Sequence, residues 1–167
     1  MGTLLIAGFA SSLARQNYAD QRTAAALSQA KAALIGYAAT YPDHDATGVF
    51  GFLPCPDMGS ASVIPEGNMD VPCGSRDVTV IGRLPWKELG LQPLRDGFGD
   101  CLWYAVSGNF KENLTTPNSR TLLLNWDSNG LIEVVGADGT SLLAGSAPTN
   151  RAAAVIFAPG RIFASQD

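Results

Sequence analysis

Residues 15–41, RQNYADQRTAAALSQAKAALIGYAATY, decide the fold, because they follow without a break from residues 1–14, the charge-free apolar tract MGTLLIAGFASSLA. In the longer stretch Leu27, Ala30, Leu34, Tyr37 (or Ala38) and Tyr41 recur every three or four residues, while Gln21, Arg22, Ser28, Gln29 and Lys31 fall largely elsewhere. This is one apolar helical stripe, and it predicts a half-helix that packs on a domain. In the first stretch Leu4, Leu5, Ile6, Phe9 and Leu13 occur all round the helix, and the first charge is Arg15. A helix that is apolar on every side calls for lipid or a helical bundle. Read as one helix from about Gly2 to Tyr41, the segment would be roughly 60 Å long at 1.5 Å per residue. That far exceeds the three or four turns usual in a globular domain, so the helix is expected to reach something outside its own domain.

Three readings of the apolar tract stay open. From Met1 to Ala14 the rise is about 21 Å, short of the roughly 30 Å hydrocarbon core, so the tract as written does not span a membrane alone. A secretory signal peptide calls for a basic n-region, which these residues do not carry, and the helical pattern runs through the place where cleavage would fall. A buried core helix of a soluble protein is the second reading. The third and favoured one is a membrane or filament helix with further turns upstream of Met1.

Residues 42–167 are expected to form a single globular domain of loops and antiparallel sheet, with 1–41 as the helix (apolar stem 1–14, amphipathic 15–41). About 125 residues suffice for a hydrophobic core. The net charge of −4, with 16% charged residues, speaks against an electrostatic hold on nucleic acid, and no such partner is expected. There is no internal repeat. From Pro42 to Arg76 the chain is rich in turn chemistry, in YPDHD, LPCPDMGS, IPEGN and VPCGS. Cys55 and Cys73 share a Pro-Cys setting, and a bridge between them would staple a loop with little apolar periodicity, adding about 3 kcal/mol in the chain-entropy account. Such a bridge implies an oxidising compartment; the alternative is a pair of reduced thiols in a cytosolic protein. Cys101, in the apolar run CLWYAV, is expected to be an inert small hydrophobe, with pairing to Cys55 or Cys73 left open.

Further on, Val78 to Ile81 reads as a short strand, and PWKELG as one helical turn opened by Pro85 and stopped by Gly90. LRDGFGD is a glycine-rich turn feeding a strand from Cys101 to Val106. Thr121 to Trp126 and Leu131 to Val135, separated by Asp127-Ser128-Asn129-Gly130, read as a β-hairpin. Ala137 to Thr140 then turns toward Ser141 to Leu143, and the last strand is Ala153 to Ala158. The fold class is therefore α+β: a long N-terminal helix covering one face of a small antiparallel sheet, beside a disulfide-stapled loop segment.

The segments AALIGYAATYPD, GFLPCPD, GRLPWKELGL, LRDGFGDCLWYAVSG and AAAVIFAPG, in this order behind an apolar helix, resemble bacterial prepilin-like proteins related to type IV pilins and type II secretion pseudopilins. The resemblance runs from about Ala33 to Gly160. It implies insertion in the inner membrane through the N-terminal helix, a periplasmic domain or an extracellular filament, and assembly with other pilin or pseudopilin subunits by bundling of helices. Leu4, Leu5, Ile6, Phe9 and Leu13 would then be the assembly positions. The family's processing site, a Gly followed by an aromatic residue and a Glu at the fifth mature position, is not among these residues, and further chain is expected on both sides. The alternative from another class is a secreted or periplasmic binding module with a remnant signal segment, for a carbohydrate on which Trp86, Trp103 or Trp126 could stack.

No catalytic residue is expected. His44 lies among turn residues with no Gly-x-Ser-x-Gly elbow anywhere, and Asp96 and Asp100 are separated by Gly97 and Gly99 as in a turn. Phosphate-loop and dinucleotide motifs are missing, so neither a small-molecule substrate nor a cofactor is expected. Asp127, Ser128, Asn129 and Asp138 offer oxygens of the kind Ca²⁺ takes, but a tight turn uses the same residues, and no metal is expected. Trp103 should be core; Trp86 and Trp126 are candidates for surface contact.

Overall fold

The computed structural model describes residues 3–44, 51–59, 64–75, 77–112, 124 and 127–161, with helix side chains from Leu13 to Tyr41. Helix α1 spans Thr3–His44, 42 residues, or about 63 Å at 1.5 Å per residue. It passes the expected end at Tyr41 because the loss caused by Pro42 is made good. Proline has no N–H for the carbonyl four residues back, Ala38, and the Gly51 N–H donates to that oxygen instead at 3.0 Å.

One face of α1 is buried along its second half. Ala26, Ala30 and Leu34 join Leu53, Leu84, Leu102, Tyr104 and Val106 in the main core, with Leu27 and Ala38 packed against it. Tyr41 meets Phe52 in a smaller cluster, with ring centroids 5.6 Å apart. The expected stripe is thus present, and it extends upstream through Ala26 to Ala19, which is also buried. Gln21, Arg22, Ser28, Gln29 and Lys31 are all exposed.

The sheet beneath has three antiparallel strands in the order β1-β2-β5: β1 is Val80–Arg83, β2 Trp103–Val106 and β5 Ala154–Phe157. Tyr104 pairs with Gly82 and with Ile156. Strands β3 (Val134–Val135) and β4 (Leu142–Ala144) form a separate two-stranded sheet. Their turn is held by Asp138, whose carboxylate accepts from the backbone N–H groups of Thr140 and Ser141 at 3.1 and 2.9 Å and from the Ser141 hydroxyl.

Three expectations shift. Strand β1 starts at Val80 rather than Val78, because the Val78 carbonyl is taken by Lys111 Nζ and the Val78 N–H closes a turn on Ser75. The strand ending at Val135 pairs forward with β4. Its earlier part runs beside Arg151 and Ala152 instead: Ile132 bridges Ala152, and Gly130 lies so close that a Cβ there would sit 2.2 Å from the Ala152 carbonyl oxygen. Of the expected partner, Thr121 to Trp126, only Leu124 is within the described residues. Trp103 is not core. The pleat points Tyr104 and Val106 at the helix, so Trp103 takes the opposite face, 38% exposed and stacked on Phe157.

The expected helical turn at PWKELG closes with Leu89 N–H donating to the Pro85 carbonyl, and Gly90 ends it at φ +66°. The LRDGFGD turn docks on α1. A Cβ at Gly97 would lie 2.0 Å from the Ala19 carbonyl oxygen, and the Gly97 N–H donates to Thr23 Oγ1 at 2.9 Å. Gly97→Ala should therefore push the turn off the helix and lower stability by about 1–3 kcal/mol in urea unfolding. Gly36→Ala, where a Cβ would meet nothing within 4 Å, should raise it by up to about 1 kcal/mol. Equal effects of the two would contradict this docking.

Candidate functional site

The five sequence words that carry the resemblance form the junction between helix and domain. Cys55 of LPCPD forms a disulfide with Cys73 of VPCGS, with Cα atoms 5.9 Å apart, closing a sequence separation of 18 residues. Cys55 Sγ lies 2.8 Å from the Glu112 carbonyl oxygen. Beside it Lys111 is buried, and its Nζ donates to the carbonyls of Cys73 and Val78, both at 2.8 Å. Burial lowers the Lys111 ammonium below its ordinary value of 10.5, against a smaller upward pull from Asp77. The ammonium replaces the ladder hydrogen bonds that this stretch of loop lacks, which a buried cation does only when its donors are satisfied.

Asp57, the last residue of that word, is buried and braces the same loop. Its Oδ1 accepts from Gly59 N at 2.8 Å and from Arg83 Nη2 at 3.3 Å, and its Oδ2 accepts from Gly67 N at 2.8 Å. Backbone bonds between Asp57 and Arg83, 3.0 and 2.8 Å, also close the outer edge of β1. Gly82 lets this happen, since a Cβ there would be 2.7 Å from the Asp57 carbonyl oxygen. In GRLPW, Leu84 enters the core and Trp86 is half-buried: a Cβ at Gly67 would fall 2.3 Å from the indole, and Lys87 Nζ stands 5.0 Å over the ring. Asp70 Oδ2 accepts from Met58 N at 2.6 Å. These bonds were not legible as such; Pro-Cys-Pro-Asp signalled a turn, not which carbonyls and amides it would serve.

On the helix side, Tyr37 donates to Glu112 Oε2 at 2.6 Å, tying α1 to the segment beside the disulfide. Burial, then that bond, raises the Tyr37 phenol above its ordinary value of 10.0, and burial alone raises Tyr104 well above it. Tyr104 donates to the Pro54 carbonyl at 3.1 Å.

The other candidates fall as follows. Leu4, Leu5, Ile6 and Phe9 belong to α1, with side chains outside the described residues; Leu13 is 60% exposed. Trp126 is outside the described residues, and so is the His44 side chain. Asp96 is buried, its Oδ1 accepting from the backbone N–H groups of Phe98 and Asp100 at 2.9 Å each, so it shapes the turn rather than facing Asp100 as a catalytic partner. Cys101 is a free cysteine outside the core. It precedes the strand, bridges Arg95, and stays half-buried with Arg95 Nη1 against its sulfur and Glu66 Oε1 4.0 Å away. Between α1 and β5 runs an open apolar groove of about 660 Å³, lined by Leu27, Leu34, Ile35, Phe110 and Ile156 among others.

Among the described residues no group of three or more His, Cys, Asp or Glu is placed to hold a metal, and no helix is long and apolar enough to cross a membrane. No family model, curated protein or solved structure matches the chain.

Folded Tyr37 and Tyr104 keep protons that the unfolded chain releases above pH 10.0. Their contribution to stability is therefore present in full below that pH and is lost as pH rises past it. The urea midpoint is expected to fall between about pH 10 and about pH 11, and less steeply in Tyr37→Phe. A midpoint flat over this range would contradict the buried phenols.

Proposed function

We propose that this protein is a structural, pilin-like subunit, held in the inner membrane by its N-terminal helix and assembling into, or capping, a type IV pilus or type II secretion filament. One observation carries the reading: the domain uses only part of α1. Among the described helix side chains burial begins at Ala19, and Leu13 to Tyr18 before it are all exposed, Leu13 at 60% and Tyr18 at 64%. Residues Thr3 to Tyr18 would extend about 24 Å at helical rise, and their sequence is apolar up to Arg15. An apolar rod of this length in water is costly, at roughly 25 cal/mol for each Å² left exposed, so it calls for lipid or neighbouring helices.

The disulfide supports the extracytoplasmic side of the reading, since such bonds persist in oxidising compartments. The resemblance of the junction words to prepilin-like proteins supplies the filament. Those words hold the domain rigidly on the helix, through Tyr37–Glu112, the Gly97 contact and the stapled loop. A subunit that transmits load from stem to domain requires such a joint.

Expression in cells, followed by fractionation, tests the proposal. The protein should sediment with the inner membrane, with its domain digested by protease only once the outer membrane is opened. A wholly soluble cytoplasmic product would overturn it. Recovery of a periplasmic protein that begins beyond Ala14 would instead favour the secreted binding module.

A further inference from the structure

Strand β5 stands at the edge of the three-stranded sheet, and its register decides which of its backbone groups are left over. The Ser107 N–H donates to the Ala153 carbonyl at 2.8 Å. Bonding alternates along an antiparallel pair, so Ala153, Val155 and Phe157 turn their N–H and C=O groups toward β2, and Ala154 and Ile156 turn theirs away. Ala152 points the same outward way, and there the chain fills the edge: Ala152 and Ile132 exchange both backbone bonds, at 2.9 and 3.4 Å. At Ala154 and Ile156 no described residue takes that place.

The side chains of these two residues share the helix-facing side with Val106 and Tyr104, their partners in β2. They therefore line the groove of about 660 Å³ between α1 and β5, with Leu27, Lys31 and Ile35 across it on the helix. Ile35 is 60% exposed. Free sheet edges are ordinarily blunted by a charge, a proline or a bulge. The run from Ala152 to Ala158, AAAVIFA, has no charge and no proline, and its register against β2 is unbroken. The opposite edge, that of β1, is closed by the backbone bonds between Asp57 and Arg83.

We propose that the outer edge of β5 takes an extended peptide segment of a partner protein as a fourth, antiparallel strand, with alternate apolar side chains of that segment seated in the groove. The unpaired backbone selects the occupant. A lipid chain or other wholly apolar ligand would strip water from the N–H and C=O groups of Ala154 and Ile156 and leave them unsatisfied. A strand gives each of them a partner. Residues of the incoming segment opposite Ala154 and Ile156 share their face, so they meet Leu27 and Ile35 and are apolar; the residue between them faces the other way. Lys31 enters no ion pair among the described residues, so an acidic residue on the same face of the segment completes the match. The inference does not rest on the filament reading.

Hydrogen exchange in the full chain, alone and with the acetylated heptapeptide Thr-Val-Thr-Val-Thr-Glu-Thr, tests this. In the free chain the amides of Ala154 and Ile156 should exchange at least about tenfold faster than that of Val155, and saturating peptide should slow both about tenfold with little change at Val155. Ala154→Pro removes an outward N–H and keeps the ladder to β2, which an edge strand tolerates; it should weaken peptide binding about fivefold. Lys31→Glu, at an exposed helix position, should weaken binding about fivefold and recover it for the peptide with lysine in place of glutamate. Amides of Ala154 and Ile156 as slow as that of Val155 in the free chain would overturn the proposal, since the edge would already be paired, and slowing that grows with protein concentration would assign it to a second copy. Undiminished binding of the peptide N-methylated on both valines would overturn strand addition and leave an apolar ligand groove. Amides left unchanged by saturating peptide, or no saturable binding at all, would overturn it outright.

Discussion

A close approach between two backbones governs this structure. At Ala19 the helix meets Gly97 with no room for a side chain on the turn, and from there Ala26 and Ala30 keep the helix surface low enough for Tyr104, Val106 and Leu102 to pack against it. Small residues give little hydrophobic energy each, but they permit the dense contact on which dispersion and exclusion of water depend. Thr23 completes the seam: its hydroxyl donates to the Ala19 carbonyl and accepts from Gly97 N, both at 2.9 Å, so the half-buried amide of the turn is satisfied. From this point on, the small-residue face of the helix packs on the domain, and the described side chains before it, Leu13 to Tyr18, are exposed.

The remainder of the domain has little regular structure, and fixed polar groups stand in for it. Asp57, Lys111 and the Cys55–Cys73 bridge sit where ladder hydrogen bonds would otherwise order the chain. Asp57 and Lys111 each satisfy two backbone groups of the loop from Leu53 to Val78, and the bridge closes it covalently. A loop braced in this manner resists shear against the helix, because Tyr37–Glu112 connects the bridge region to α1.

Much of this was legible in the sequence, for reasons that also explain the rest. The helix was clear because its period of three to four is sustained over many turns, and the disulfide because two Pro-Cys settings bracket a stretch with no other means of order. The upstream stripe was less visible: Ala19, Thr23 and Ala26 are weakly apolar or polar, so periodicity alone did not single them out. Trp103 was misplaced because an apolar run such as CLWYAV does not declare which face of a strand each residue takes. Nor does the run declare where the strand begins, which is two residues after Cys101. The partners of Asp57 and Lys111 depend on contacts between distant loops, which no local pattern records.

One helix is divided: from Ala19 on, its apolar face packs on the domain, and the described residues before it, Leu13 to Tyr18, are exposed. Urea unfolding of Leu13→Ala, Tyr18→Ala and Leu34→Ala measures that division most directly. Leu34 is buried in the core, so its truncation should cost about 2–5 kcal/mol. Leu13 and Tyr18, exposed at 60% and 64%, should each change stability by no more than about 0.5 kcal/mol. A loss at Leu13 or Tyr18 comparable to that at Leu34 would contradict the division.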